Sequence, residues 1–575
     1  MKKLLSIGLG CLLACQVSCS PSPQQEDHVQ VRLSQDPASL HPLSYGNAHA
    51  LQLINLIYQS LLTVEIGSHT VQPLLATALP VVKVKDSISY FSYQIRPEAR
   101  WDDDRPVTAK DVAFSLKLLH GPLLDNERWR AQYHFIKDIQ LREDNPLAFT
   151  IVASGYTPEM DLLSGDFFIL PAHKYDPKGS LQALPLSLVK SKYDSLSTSP
   201  TFQALSKEIN HPKVARDTAW VRGSGPYQLT SWNNGQQIIL SKKANWWGNK
   251  LATTHPSFVA RPTQLQFQVI PDNAAAVLAL KARQVDVMDN IPLTNFLEMQ
   301  KDAEFKKHFN LSGAPTYDLV FLGMNGFSKT LQDMKTRQAL AHLVNIPQLI
   351  KTVQGGLATP TAGLVHPSEK QFYNSALKPV GFDPAKAQAL LKEAGWQKTS
   401  AGWVKDQTKS KSPLALNLMY RGGNSEFESI ALLFQQNARA IGIPITLQAI
   451  ESSQISQRLQ EHTYDLYLRT FVGNPFSYNL LPLLHTGSTG EDGGNVTNFG
   501  NATTDQLLEK IAKEASPATK ATLLKQLQKE MQEESNMVFL FFQQNKLVVS
   551  SRFDSVIVSS LKPGYDLPKF KLKKN

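Results

Sequence analysis

Cysteine is almost missing from this chain. Of 575 residues only Cys11, Cys15 and Cys19 carry a thiol, and residues 20–575 carry none, so a disulfide framework for the body is excluded. Long apolar runs are equally scarce. Beyond the leader the most apolar stretch is Met537–Phe542, MVFLFF, which suits a buried strand and falls far short of the ~20 residues of a membrane-crossing helix. The body is therefore not expected to carry a solute across a bilayer alone. Catalytic signatures are lacking too: no H-E-x-x-H, G-x-S-x-G, G-x-x-x-x-G-K or C-x-x-C occurs. Two S-x-x-K strings, Ser187–Lys190 and Ser559–Lys562, stand without the S-D-N and K-T-G partners of penicillin-recognising enzymes. The 14 histidines include no i, i+4 pair, and no further acids follow Asp102–Asp104 at metal-loop spacing. The expectation is no enzyme, no cofactor, no metal, and a solvated turn at Asp102–Asp104.

What is present begins with a leader. Met1-Lys2-Lys3 precedes the apolar run Leu4–Ala14, the layout of a bacterial export signal. Leu12-Leu13-Ala14-Cys15 resembles a lipoprotein acylation site, and Gln16-Val17-Ser18-Cys19 resembles one less closely. Ser20–Asp27, SPSPQQED, reads as a polar tether. Cys15 or Cys19 would carry the lipid, so that 1–18 is signal (ending at 14 or 18) and 19–27 tether. Several acyl chains give stable anchoring, at about 0.8 kcal/mol per buried methylene. The net charge is +10, with lysines concentrated at Lys569, Lys571, Lys573 and Lys574. In an exported chain without a helix-turn-helix, zinc finger or aromatic-basic platform, this tail reads as a solvated face and not as a nucleic-acid site.

A body of about 555 residues exceeds one core and should divide into domains. Leu414–Tyr420 reads as a strand, and Phe427, Ile430, Ala431, Phe434, Ala438 and Ile441 form a helical stripe that Gly442 stops. Ile445, Leu447 and Ala449 alternate in a second strand, giving a βαβ unit with parallel strands, and Tyr464–Phe471 offers a third strand. In Phe91–Leu118, FSYQI alternates as a strand and Arg96-Pro97 ends it. Trp101 opens an acidic turn, and Thr108 with Asp111 forms a capping box for a helix burying Val112, Leu116 and Leu119.

That last segment resembles the family-five extracellular solute-binding proteins, whose pattern is approximately LR-x-x-x-x-W-h-D-G-x-P-h-T-A-x-D-V. The chain keeps Arg96, Trp101, Asp103, Pro106, Thr108, Ala109, Asp111 and Val112 and puts Asp104 where the family has glycine, a mild change because Asp tolerates left-handed turns. Further stretches are similar in order: Asn55–Leu62 at the place of an early helix, Pro73–Ala76, Gly223–Tyr227, Asn245–Trp247 and Ala279–Pro292. Met324-Asn325, Asp333–Val344 and Phe382–Trp396 complete the series. In the last, Asp383 caps, Pro384 opens and Gly395 ends a helix.

The resemblance implies an α/β, periplasmic-binding-protein-like fold of class II, cluster C: two lobes with an additional third domain and a hinge between lobes. Domain I would combine 28–66, 215–310 and 545–575, domain II would be 67–214, and domain III 311–544. It implies the binding component of an ABC importer that takes a peptide or related small solute to a permease and ATPase. Such a protein would be a monomer, lipid-anchored and facing the periplasm or cell exterior. A membrane-anchored sensor or chaperone-like clamp is the alternative, and a nickel- or haem-type solute the remaining one within the family.

In open α/β sheets ligands sit beyond the carboxyl ends of parallel strands. Those ends here carry Tyr420, Arg421, Gly422 and Gly423, and Arg469, Phe471, Val472, Gly473 and Asn474. The glycines would let backbone approach a ligand, and the arginines could clamp a carboxylate. Tyr45 and Asn47 would wall the opposite side, with Asn325 added. Peptide-binding members carry aspartate where this chain has Phe471, as the partner of the peptide amine. Either another acid reaches the site, or the ligand presents an apolar or blocked end to Phe471, because an unpaired buried ammonium costs several kcal/mol. Replacing both Cys15 and Cys19 by serine should move the protein from membranes to the soluble fraction. Retention of the double variant on membranes in high salt would refute the anchor.

Overall fold

The computed structural model describes residues 27–407, 410–490 and 493–573. The leader, Cys15, Cys19, most of the tether and Lys574 lie outside them. No helix of the described residues is long and apolar enough to cross a membrane.

The segment singled out by sequence folds as its chemistry dictates. Ile88–Gln94 is a strand, and Asp104 turns the chain at φ 64°, the left-handed conformation expected of the glycine position. The Thr108 amide donates to Asp111 Oδ2 at 2.8 Å, closing the capping box of helix Ala109–His120. Val112, Leu116 and Leu119 are buried on that helix. The strand belongs to a four-stranded antiparallel sheet in the order 81–85, 88–94, 148–154, 136–141. The acidic turn is exposed at all three aspartates, and Asp102 pairs there with Lys243 and with Arg222 (3.4 Å).

A second, mixed sheet of eleven strands organises the rest. At one end Leu416–Arg421 lies parallel to Ile445–Ile450 across helix Ser425–Ala440, the βαβ unit read from sequence. Leu466–Val472 lies parallel to Leu416–Arg421 on its other side. At the other end His28–Leu33 is parallel to Gln264–Val269, followed by Gln237–Lys242 and Tyr227–Asn233. Two long antiparallel strands, Phe309–Met324 and Met537–Ser550, join the ends. MVFLFF is the first part of the second strand. The ladder between them breaks from Pro315 to Leu319, where Thr316 Oγ1 instead donates to the Gln543 carbonyl at 2.9 Å.

Burial divides differently from the sheets. One hydrophobic cluster runs without interruption from Val29 and Ile57 through Phe91, Val112 and Phe149 to Phe267 and Phe570. The four-stranded sheet and the 28–33 end of the large sheet therefore share a core. Separate clusters flank the two faces of the 311–544 portion, around Leu466 and Leu468 and around Tyr467 and Phe539. Gly223 and Gly225 are held by close approach: a Cβ at either would stand 2.4 or 2.7 Å from the Ile57 carbonyl oxygen. The Ser224 carbonyl between them accepts from both Trp246 (2.8 Å) and Trp247 (2.9 Å).

Two expectations are corrected. The early helix is Ala48–Ile57, so only Asn55–Ile57 of the stretch Asn55–Leu62 is helical. Lys569 is not a solvated tail residue: its ammonium is buried between Glu65 (2.5 Å) and Asp566 (3.0 Å), an arrangement possible because Phe570 anchors the tail in the core.

Across the sheets, Glu159 and Lys520 form an ion pair at 3.0 Å with side chains only 8% and 6% exposed, tying the 67–214 portion to the 311–544 portion. Removing one partner of such a pair costs about 3–5 kcal/mol, because the other charge stays buried. Lys520→Met should therefore open the particle, read as a larger radius of gyration by small-angle scattering. An unchanged scattering profile would show that the pair does not clasp the two portions.

Candidate functional site

The strand ends of the 311–544 portion meet where the sequence places them. Val472 is paired with Asp318, so Phe471–Gly473 ends at the broken ladder of the long strands. Tyr420 is buried and Arg421 exposed beside it. Gly422 donates to the Ile450 carbonyl at 2.9 Å, Gly423 turns at φ 74°, and Asn424 caps the following helix. Arg469 and Val472 are exposed, while Asn474 accepts from the Phe476 amide at 2.9 Å. Two of these residues have internal duties. The Phe471 ring packs against the Tyr467–Phe539 cluster. A Cβ on Gly473 would stand 2.7 Å from the Tyr317 carbonyl oxygen, so this glycine serves backbone packing.

Asn325 is not brought to these ends. It follows Met324, whose partner Leu466 begins the strand that Val472 ends. Its side chain is buried, donating to the His462 (2.9 Å) and Tyr464 (2.6 Å) carbonyls and accepting from the Phe327 amide. Asn47 caps helix Ala48–Ile57, accepting from Ala50 at 2.8 Å. Tyr45 lines a cavity.

That cavity, about 710 Å³, lies among residues 42–74, 115–133, 162–170, 226–259 and 561–569, within the span typical of small-molecule sites. One wall is aromatic: Tyr45 and Trp129 have ring centres 5.4 Å apart, and Trp129 and Tyr133 are stacked at 6.4 Å. The short helix Glu127–Gln132 supplies this wall, fixed by the Trp129 indole N–H donating to the Leu43 carbonyl at 2.9 Å. The Arg128 guanidinium lies over Tyr45 (4.1 Å) and Trp129 (4.3 Å) and donates to the Tyr45 carbonyl.

Six charged residues line the cavity: Glu65, Arg128, Asp166, Lys562, Asp566 and Lys569. Four have ionic partners. Glu65 and Asp566 share Lys569; burial works to raise the Glu65 carboxyl, but hydrogen bonds from Lys569 and Ser68 outweigh it and hold it at about 2. Lys562 reaches Asp318 at 3.0 Å and so joins the cavity rim to the strand ends at Val472. Arg128 and Asp166 have no ionic partner among the described residues. Asp166 accepts from the Tyr133 hydroxyl at 2.8 Å, yet burial dominates and pushes its carboxyl up to about 6. The arrangement can hold a solute by contact and charge. Sequence reading missed Arg128, Trp129, Tyr133 and Asp166; the first three had one signal, a cluster of aromatic and basic residues in Glu127–Tyr133 without an apolar stripe, and Asp166 had none.

A mixed α/β chain with a solute-sized cavity, one rim lysine of which pairs with Asp318 beside Val472, has the character of a solute-binding protein. The family described as bacterial extracellular solute-binding proteins, family 5, matches residues 70–491, and the chain belongs to it. It is 22% identical to the oligopeptide-binding protein AppA of Bacillus subtilis over 564 residues, 96% of this chain and 93% of that one. The structure of AppA from Bacillus subtilis in complex with a nonapeptide superposes with a TM-score of 0.70 at 19% identity, covering 96% of this chain and all of that one. NikA from Brucella suis in complex with Fe(III)-EDTA gives 0.72 at 19% identity, covering 95% and 100%. The class II periplasmic-binding fold expected from sequence is thus the observed one.

Asp166 carries a stability consequence. Between about pH 4 and 6 the folded protein retains a proton that the unfolded chain has released, so stability falls as pH rises through that window. The neutral tyrosines 133, 45 and 93 face the carboxyl, with Arg128 beyond Tyr45. Asp166→Asn should stabilise the ligand-free protein at pH 7.5 by about 1–2 kcal/mol, allowing for the open side of the cavity. Thermal melts at pH 7.5 and pH 3.5 check this: the gain should vanish at the lower pH, and equal gains at both would contradict it.

Proposed function

We propose that this protein is the solute-binding component of an ABC importer, capturing short peptides between the aromatic wall Tyr45–Trp129–Tyr133 and the strand ends at Tyr420–Gly423 and Phe471–Asn474. The cavity carries the reading: it is of solute size, and its rim residue Lys562 touches Asp318, which pairs with Val472 at one of those strand ends. A relative of the same fold, AppA, is an oligopeptide-binding protein seen with a nonapeptide, which supports peptide as the solute class. The interrupted ladder at Pro315–Leu319 would serve as the hinge, with lobes divided near residues 66, 214, 310 and 544. Ligand would favour the closed population by touching both sides at once.

The chain makes and breaks no bond in this role. It acts as an exported monomer held to the membrane by a lipid on Cys15 or Cys19, handing its cargo to a permease driven by an ATPase. Native mass spectrometry of protein purified without unfolding should show a bound species whose fragments differ by amino-acid residue masses. A bound species with no such ladder would move the assignment to another solute class.

A further inference from the structure

We infer that a basic pocket at the root of the tether holds the phosphate of an anionic phospholipid headgroup, keeping the body against the membrane surface. The inference uses the lipid anchor proposed above and is independent of which solute is carried. The pocket, about 540 Å³, lies where the strand from His28 begins, and Phe309 is its one apolar lining residue. Its charged lining residues are His28, Arg283, Asp286, His308, Arg552 and Lys573. The acid among them is spent inside the chain. Asp286 accepts both prongs of Arg552 (2.8 and 2.5 Å) and the Gln30 amide (2.9 Å), and its side chain is only 7% exposed. Arg283 is exposed and donates to the His308 ring at 2.7 Å, with no carboxylate partner among the described residues. Lys573 stands 3.9 Å from Asp554 with both side chains half exposed, a contact too loose to neutralise it. Glu304, on the helix that ends at His308, is taken by Lys307 at 2.6 Å. Two positive charges therefore line a polar cavity whose carboxylate is already paired, and an oxyanion there would take charge-assisted hydrogen bonds.

Position decides which oxyanion. The Asp27 carbonyl accepts from the Thr263 amide (2.8 Å) and hydroxyl (2.6 Å), and the His28 carbonyl accepts from Arg552 (2.6 Å). The tether thus enters the body at the pocket itself. Nine residues separate His28 from Cys19 and thirteen separate it from Cys15, at most about 30 or 45 Å of extended chain. A lipid on either cysteine keeps the pocket within that distance of the bilayer, where linkage makes even a weak contact effective. Each cation brought to an anionic surface strengthens attachment roughly fivefold. Docking here leaves the rim of the solute cavity uncovered. Phe309 in the pocket and Asp318, which meets the cavity's Lys562, are nine residues apart on one strand, a separation of roughly 30 Å.

The test floats the mature chain from Ser20, which keeps every described residue and lacks the acyl chains, with vesicles at about 0.1 M salt. One set is phosphatidylcholine alone, the other phosphatidylcholine with phosphatidylglycerol at roughly two to one. Wild type should partition onto the anionic vesicles at least about tenfold more strongly than onto the neutral ones. Arg283→Asn combined with Lys573→Gln should leave less than about threefold of that preference. Both sites are exposed, and asparagine suits the left-handed turn at residue 283 (φ 60°), so the fold is spared. Circular dichroism and melting check this, and Lys573→Gln alone should give a loss of intermediate size. Lys83→Gln with Lys85→Gln, the same charge change on the exposed strand Val81–Lys85, should keep the full preference. Wild type with no anionic preference overturns the inference. So does a preference that survives in the pocket variant, or an equal loss in the Lys83 and Lys85 variant. Calorimetric titration with inorganic phosphate separates the two sources of the oxyanion. Saturation below about 1 mM without any vesicle preference would make this a free-phosphate site and overturn the membrane role.

Discussion

The pairing of Phe309–Met324 with Met537–Ser550 is the constraint on which the architecture depends. Among the described residues no other pair of strands serves both ends of the large sheet: Phe309–Pro315 and Gln544–Ser550 pair beside the 287–288 strand, and Asp318–Met324 lies against 466–472. The break between Pro315 and Leu319 leaves three residues of the first strand outside the ladder at the level where the parallel strands end. Ladder hydrogen bonds make the rest of the pair stiff, so bending concentrates at the interruption. In the function proposed here, the break and the strand ends that would hold a solute are set by the same pair of strands.

The second theme is how charge is distributed around that site. Most ionic groups near the cavity are satisfied within the chain, as in the Glu65–Lys569–Asp566 cluster, where a buried lysine and two acids fix the C-terminal segment against residues 65–67. Arg128 and Asp166 are the exceptions, and Asp166 is the buried one of the two. A carboxyl held at about 6 by burial is costly to the empty protein at neutral pH. Such local conflict between stability and environment is what binding sites show when they are arranged for a partner that is not yet there.

Much of the fold was legible because its signals are local. The Thr108–Asp111 box, the Asp383-Pro384 helix start and the 414–449 βαβ pattern each depend on residues a few positions apart, and each stands as read. Asp104 at φ 64° occupies a left-handed turn where the family pattern has glycine, so even that departure was interpretable. The site was harder. Strand ends could be located, but Asn47 and Asn325 are polar residues whose hydrogen bonds are spent on a helix cap and a loop. Lys569 looked like a solvated tail because its partners, Glu65 included, lie up to five hundred residues away in sequence. Arg128 and Asp166 escaped notice for the same reason, since their significance lies in what fails to pair with them in three dimensions.

The continuous core joining the 28–76, 91–214 and 221–267 stretches has a kinetic meaning. Nearly all of the cavity wall hangs from that single packed body, with Tyr45, Trp129, Tyr133 and Asp166 fixed on it whatever the 311–544 portion is doing. In the proposed function an arriving solute would meet a finished half-site, its encounter rate set by diffusion and orientation onto that face. The opposing portion would then act afterwards, covering what is already docked, so that its contacts would govern how long the cargo stays. Variation confined to the strand ends would tune residence time, and variation in the wall would tune which molecules stop at all.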